Sequence, residues 1–354
     1  MILDGKVIST QGNSSPKMET KDTKWKSQRE GFLDSLIYIK GRQEGTIKSF
    51  KTPWPKFNDA TTAGIEWNTM TVIGGRPGVY KTCIKDQLIR EGFKLNIGEN
   101  FRVLEFQLEM LARTSAIREY SSVLNKSYKY LCSADGKLTD EDLDRCYNYA
   151  KTRVKYPIDV IEEPCTVSEF KAIIKDYLLT NSTEVYIDNE KGLNQKVIKY
   201  QKTIVTLDHT ILLKLDKGEK SKMDMLYNLG EAITELKRIY PIAFIILSQL
   251  NRGIDSPERC EDGKYGNYIN ESDIFGADAM LMHTDTLIGL NRPAKQKIRF
   301  YGPDRYIIQD DSILVMHFLK CRNGDNRLSF FKADGASMTI SEIDTPPVVE
   351  KRMK

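Results

Sequence analysis

Lys81 and Thr82 close a stretch, residues 71–82, in which a short apolar run gives way to glycines and then to a lysine and a hydroxyl: TVIGGRPGVYKT. Residue types in that order suit phosphate binding. Small residues let backbone N–H groups turn onto phosphate oxygens, a lysine ammonium adds a point charge, and a threonine hydroxyl is a ligand for Mg²⁺. Gly75, Arg76 and Gly78 would form the turn that cradles the phosphates. One position departs from G-x-x-x-x-G-K-[ST]: counted from Gly75, the second glycine falls at 80, where the chain has Tyr80. Tyrosine is poorly suited to positive φ or to close backbone approach. Taken alone, the stretch leaves open a nucleotide site and a glycine-rich turn with an exposed lysine.

Phosphate transfer needs further groups. A metal held by Thr82 needs a second anchor, and a carboxylate supplies it. Asp208 ends the apolar run at 203–207, whereas Asp188 ends a more polar imitation at 184–188; the more apolar run favours Asp208. Glu109, just past a strand expected over 101–107, could orient water. Each acid alone is also what an ordinary strand end carries.

The elements that must position these groups follow from periodicity. Apolar runs at 101–107, 158–161, 203–208, 242–248, 286–290, 313–319 and 328–332 read as strands. Helical patterns at 138–154, 167–179 and 223–240 separate several of them, the first with Thr139 as N-cap and acids at 140–142 in its first turn. Strands alternating with helices predict an α/β fold with a mostly parallel sheet flanked by helices, whose ligands sit at the carboxyl ends of strands. The expected organisation is a flexible arm at 1–23, an amphipathic linker helix at 24–45 carrying Trp25, Phe32, Leu33, Leu36 and Ile37, a main domain at 46–343 and a flexible tail at 344–354. A polar insertion at 180–201 interrupts the pattern.

Composition narrows the field. Net charge +4 and pI ≈ 8.5 allow a polyanionic partner without requiring one. Six cysteines without a C-x-x-C pair argue against a zinc ribbon or a disulfide framework. His209, His283 and His317 are too separated in sequence to suggest a metal cluster. With no apolar run of membrane-spanning length and no signal-peptide core, a cytoplasmic protein is the expectation.

Taken together, GGRPGVYKT (74–82), EFQLEM (105–110), VTLDHTILL (205–213), ILSQLNR (246–252), SDIF with a following Asp285, and LKCRNG (319–324) resemble the RecA-like motor domain of DnaB-type replicative hexameric helicases. SQLNR and KCRNG are the most specific parts. The resemblance implies a RecA-like P-loop NTPase fold with ATP and Mg²⁺ as cofactors. It implies a homohexamer on single-stranded DNA, with a primase or helicase loader as further partners. Residue by residue, Lys81 and Thr82 would hold phosphates and Mg²⁺, Glu109 would activate water, Asp208 would be the Walker B acid and Gln249 the γ-phosphate sensor. Lys320 and Arg322 would reach the neighbouring subunit's nucleotide, Arg322 as the arginine finger. Phe275 and Gly276 fall where the family contacts DNA, though no arginine accompanies them. Lys217 and Lys220, after the Walker B strand, are candidates for DNA phosphates, and a solvated lysine-rich loop is the alternative. The short stretch before Lys24 fits a phage-encoded or streamlined form without the family's N-terminal domain. Tyr80 keeps a second hypothesis open, a RecA-fold scaffold that has lost turnover; a strand-exchange recombinase fits the motifs less well.

Overall fold

The computed structural model describes residues 2–3, 6–7, 27–188, 194–260 and 266–350. The chain divides into two units. The larger, Phe50–Ser182 with Tyr200–Lys354, is built on a nine-stranded sheet. In chain order its strands are β1 (Thr69–Gly75), β2 (Phe101–Gln107), β3 (Ile158–Ile161), β4 (Lys202–Asp208), β5 (Ile242–Ser248), β6 (Thr286–Asn291), β7 (Ile313–Cys321), β8 (Arg327–Asp334) and β9 (Thr339–Glu342). Their order across the sheet is β3-β2-β4-β5-β1-β6-β7-β8-β9. The run from β3 to β6 is parallel, and β7, β8 and β9 add to the β6 edge antiparallel.

Alternation along the parallel strands feeds two cores, which is why those strands read as continuous apolar runs. One face carries Met70, Val72, Phe106, Val205, Leu207, Phe244 and Ile246 against the helices Val167–Thr180 and Lys222–Ile239. The other carries Ile73, Val103, Ile204, Ile245 and Leu247 against Ile84 and Leu88 of the helix Lys81–Leu95. The expected helix over 138–154 runs Asp140–Arg153, and its cap is reciprocal: Thr139 Oγ1 accepts from Asp142 N at 3.1 Å and Asp142 Oδ2 accepts from Thr139 N at 3.0 Å.

Three expectations differ in detail. Strand β9, polar and four residues long, has no apolar run to announce it. It is held from the side by Gln87, whose amide donates to Ile340 O at 2.9 Å and accepts from Ile340 N at 2.7 Å. The tail expected from Asp344 is tied down over part of its length, with Val348 O accepting from Ile307 N at 2.8 Å and Glu350 N donating to Arg305 O at 3.1 Å. The insertion at 180–201 contains a separate antiparallel hairpin, Thr183–Asp188 with Asn194–Lys199. Asp188 therefore ends no strand of the main sheet, whereas Asp208 ends β4.

The smaller unit, Met1–Ser49 with Thr183–Lys199, holds that hairpin and the helix Gln28–Gln43. This helix carries a capping box, Ser27 accepting from Glu30 N and Glu30 accepting from Ser27 N. Its apolar residues do not form one stripe: Leu36, Ile37, Tyr38 and Ile39 are consecutive and all exposed, as is Phe32. At 100° per residue, four in a row wrap most of the way round a helix. Trp25 and most of the arm at 1–23 lie outside the described residues.

Candidate functional site

Strand β1 is buried almost throughout and ends at Gly75. The chain then turns through residues 76–80 into the helix at Lys81. Gly78 (φ +77°) and Tyr80 (φ +66°) are both left-handed, so Tyr80 takes a backbone conformation that a glycine adopts without strain. Tyr80 holds a conformation that costs a non-glycine residue roughly 1–2 kcal/mol. Lys81 Nζ folds back to donate to Gly75 O at 2.8 Å and Arg76 O at 3.2 Å. Burial pulls its pKa down to about 8, with Asp208 and Glu109 opposing the fall.

The carboxyl ends of β1, β2, β4 and β5 bring the remaining groups together. Thr82 Oγ1 donates to Asp208 Oδ2 at 2.8 Å. Asp208 is buried, and its Oδ1 has no hydrogen-bond partner among the described residues. A carboxylate oxygen left unpaired beside a threonine hydroxyl fits a hard divalent cation whose other ligands are phosphate oxygens and water. No group of three or more His, Cys, Asp or Glu side chains able to hold a metal occurs among the described residues. Glu109 follows β2, which pairs with β4 in a register that sets Gln107 beside Asp208, and its side chain is half exposed.

His209 joins this group unannounced. Its Nε2 lies 3.7 Å from Glu109 Oε2 and 3.5 Å from Gln249 Nε2, so one buried ring stands between the water-activating candidate and the sensor candidate. Burial holds its pKa below the usual histidine value, which keeps the ring neutral near pH 7. A lone histidine after an acid gave no sequence signal beyond its place in the motif. Deeper in, Lys85 Nζ pairs with Asp86 Oδ1 at 2.8 Å and Glu105 Oε1 at 3.0 Å. Burial opposes the charge on Lys85, but the two carboxylates outweigh it and hold the ammonium above its usual range. The Lys85–Glu105 pair links the Lys81–Leu95 helix to β2, and within β2 Gln107 Nε2 donates to Glu105 Oε2 at 3.2 Å.

Gln249 is also tied to the segment that follows. Phe275 N donates to Gln249 O at 2.8 Å, and Asn251 N donates to Asp273 O at 2.7 Å. Phe275 is half-buried, its ring packed against the core, and Gly276 has φ +67° with Leu226 Cδ1 only 2.3 Å from where a Cβ would stand. Lys217 and Lys220 are exposed on the loop before the Lys222–Ile239 helix. Arg76, the loop's own arginine, pairs with Asp255 at 2.7 Å and donates to Leu250 O at 3.3 Å.

Lys320 and Arg322 are not brought to this site. Cys321 pairs with Thr286 at the start of β6, whereas Leu290, near its end, pairs with Gly75. At the rise of a strand, that separation is roughly 13 Å. Lys320 Nζ donates to Leu281 O at 2.6 Å, and Arg322 Nη1 contacts Asp285 Oδ1 at 3.0 Å while remaining 54% exposed. Asp285 also accepts from Met70 N at 2.8 Å and from Lys237.

The sequence model of the DnaB-like helicase C terminal domain matches residues 50–263, more than half of the chain. Two Helicobacter pylori proteins named replicative DNA helicase DnaB are each 22% identical, one over 259 residues (72% of this chain, 45% of the relative), the other over 201 residues (56% and 36%). The chain thus spans less than half the length of these curated relatives. Among solved structures, one described as an ATPase domain superposes with a TM-score of 0.71 at 15% identity, over 90% of this chain and 99% of that one. A DnaB-like replicative helicase, whose structure was described with its primase interactions, gives 0.70 at 15%, over 92% and 69%. With a mostly parallel RecA-like sheet and the family match over residues 50–263, the chain belongs to the DnaB-like helicase C-terminal domain family.

Proposed function

We infer that this chain is the motor of an ATP-dependent replicative DNA helicase, working as a homohexameric ring that translocates on single-stranded DNA. The observation that carries the reading is the Thr82–Asp208 contact at 2.8 Å, with the second carboxylate oxygen left free. Lys81 and the backbone N–H groups of the loop would bind the β- and γ-phosphates. Mg²⁺, bound with the nucleotide at Thr82 and Asp208, would neutralise phosphate charge. Glu109 orients the attacking water, with His209 and Gln249 behind it. Arg322 and Lys320, too distant from their own chain's loop, would serve the neighbouring copy's nucleotide, and an arginine acting in trans needs an assembled ring.

Gln249 lies between chemistry and DNA. Its side chain faces His209 and its carbonyl is bonded to Phe275, so a change at the γ-phosphate has a direct route to residues 272–276. Lys217 and Lys220 are candidate contacts for DNA phosphates. The exposed apolar side chains of the Gln28–Gln43 helix suit burial against the adjacent copy. A primase or a loader would be an additional partner.

The test is ATP hydrolysis with and without single-stranded DNA, on the unaltered protein, Lys81→Ala and Arg322→Ala. DNA-stimulated turnover lost in both variants is expected. No turnover together with no nucleotide binding by the unaltered protein would leave the scaffold reading in its place.

A further inference from the structure

Arg292 and Lys295 lie in none of the family motifs, on the turn after β6, yet both reach the phosphate loop. Arg292 Nη1 donates to Gly78 O at 3.1 Å, and Lys295 Nζ donates to Pro77 O at 3.1 Å. The Arg292 guanidinium carbon also sits 4.6 Å from the centre of the Tyr80 ring. Its Nη2 is held from the other side by Asp311, at 2.6 Å to the carboxylate and 3.2 Å to the carbonyl. A Cβ on Gly78 would stand 2.4 Å from Lys295 Nζ, so the ammonium lies directly against this glycine.

The peptide unit explains why this matters. In a planar trans peptide the C=O and the following N–H point in opposite directions. Drawing the carbonyls of Pro77 and Gly78 toward Lys295 and Arg292 turns the N–H groups of Gly78 and Val79 the other way. The Gly78 N–H has no backbone acceptor among the described residues, as a donor kept for an anion would require. The next residue is Tyr80, left-handed at φ +66°, where a glycine would sit without strain. A guanidinium over its ring supplies attraction at the place where the backbone is disfavoured.

Resting on the nucleotide-site reading above, we propose that Arg292 is a positioning residue for the phosphate loop. By clamping the Tyr80 ring and the Gly78 carbonyl together, it substitutes for the conformational ease of the missing glycine and keeps the loop ready for phosphate. Lys295 does the same for the preceding peptide. The tyrosine at position 80 is thus held by an arginine 212 residues later in the chain.

The experiment is a double-mutant cycle read by equilibrium binding of a fluorescent ATP analogue with Mg²⁺, alongside turnover at saturating ATP and thermal unfolding. Arg292→Ala in the unaltered background should weaken binding about tenfold, with far less effect on turnover at saturation. Arg292→Lys, which keeps a donor for Gly78 O but loses the planar stack, should recover part of the loss. In the Tyr80→Gly background, Arg292→Ala should cost less than about twofold, because the two residues act as one unit. Equal weakening in both backgrounds, or none in the unaltered one, overturns the clamp. Should Arg292→Ala fail to fold, Asp311→Asn in the same two backgrounds frees the guanidinium without removing it and carries the same expectations. Failure of the unaltered protein to bind the analogue would instead overturn the nucleotide-site reading itself, and the clamp with it.

Discussion

Lys81 and Glu109 give the sharpest expectations for single residues. Burial brings the Lys81 pKa to about 8 in the nucleotide-free protein, and a phosphate-bound ammonium must be charged. Above pH 8, ATP binding therefore takes up a proton, and affinity should fall with rising pH, by at most about tenfold per unit. Isothermal titration in buffers of different ionisation enthalpy would show the proton uptake, and Lys81→Met should bind weakly with no such dependence. A pH-independent affinity between 7 and 9.5 would mean that Lys81 stays charged throughout. For Glu109→Gln, turnover should drop about 10²–10⁴-fold with ATP binding retained, the signature of a group that acts on water. The motif residues were readable because their spacing reflects backbone geometry: Lys81 and Thr82 start a helix, Asp208 and Gln249 end or follow buried strands. Arg292 and Lys295 were not, and His209 was marked only by its place after Asp208 in VTLDHTILL. The role of each depends on a contact between distant segments, and a basic turn has no pattern to mark it.

Elements explain how the site is held and where sequence reading stops. The parallel strands were legible since both faces are buried, leaving unbroken apolar runs in β4 and β5. Strand β9 was hidden because only one of its four residues, the buried Ile340, is apolar, and Gln87 and a neighbouring strand supply its other anchors. Replacing Gln87 by Leu leaves Ile340 N–H without its partner, and should cost about 1–3 kcal/mol in denaturant unfolding. The Lys85 ion pairs are a stronger case. Lys85→Met strands two buried carboxylates and should destabilise the fold by about 3–5 kcal/mol, whereas a surface lysine such as Lys217 changed to Met should be nearly silent. An unchanged unfolding midpoint for Lys85→Met would show that these ion pairs add nothing to stability. The helix Gln28–Gln43 is the reverse example: its boundaries lie inside the expected 24–45, but its consecutive apolar residues 36–39 leave no polar face of the kind periodicity suggested.

For the whole molecule, the arrangement that matters is the pair of ends on β6, with the phosphate loop beside one and Arg322 beside the other. Mixing Lys81→Ala with Arg322→Ala subunits should restore part of the turnover that each lacks alone, because interfaces with an intact loop on one side and an intact arginine on the other form in the mixture. No restoration at any mixing ratio would confine Arg322 to a role within its own chain. If Arg322 serves the neighbouring copy as proposed, each subunit has a front and a back that differ, and identical copies would join head to tail rather than face to face. Such a chain of copies would have a direction, and an open one would end in a loop lacking an arginine and an arginine lacking a loop. The number of complete sites would then be one fewer than the number of subunits until the last joint closed. Closing that joint, or breaking it to admit a strand, would switch a single site on or off while leaving the others untouched.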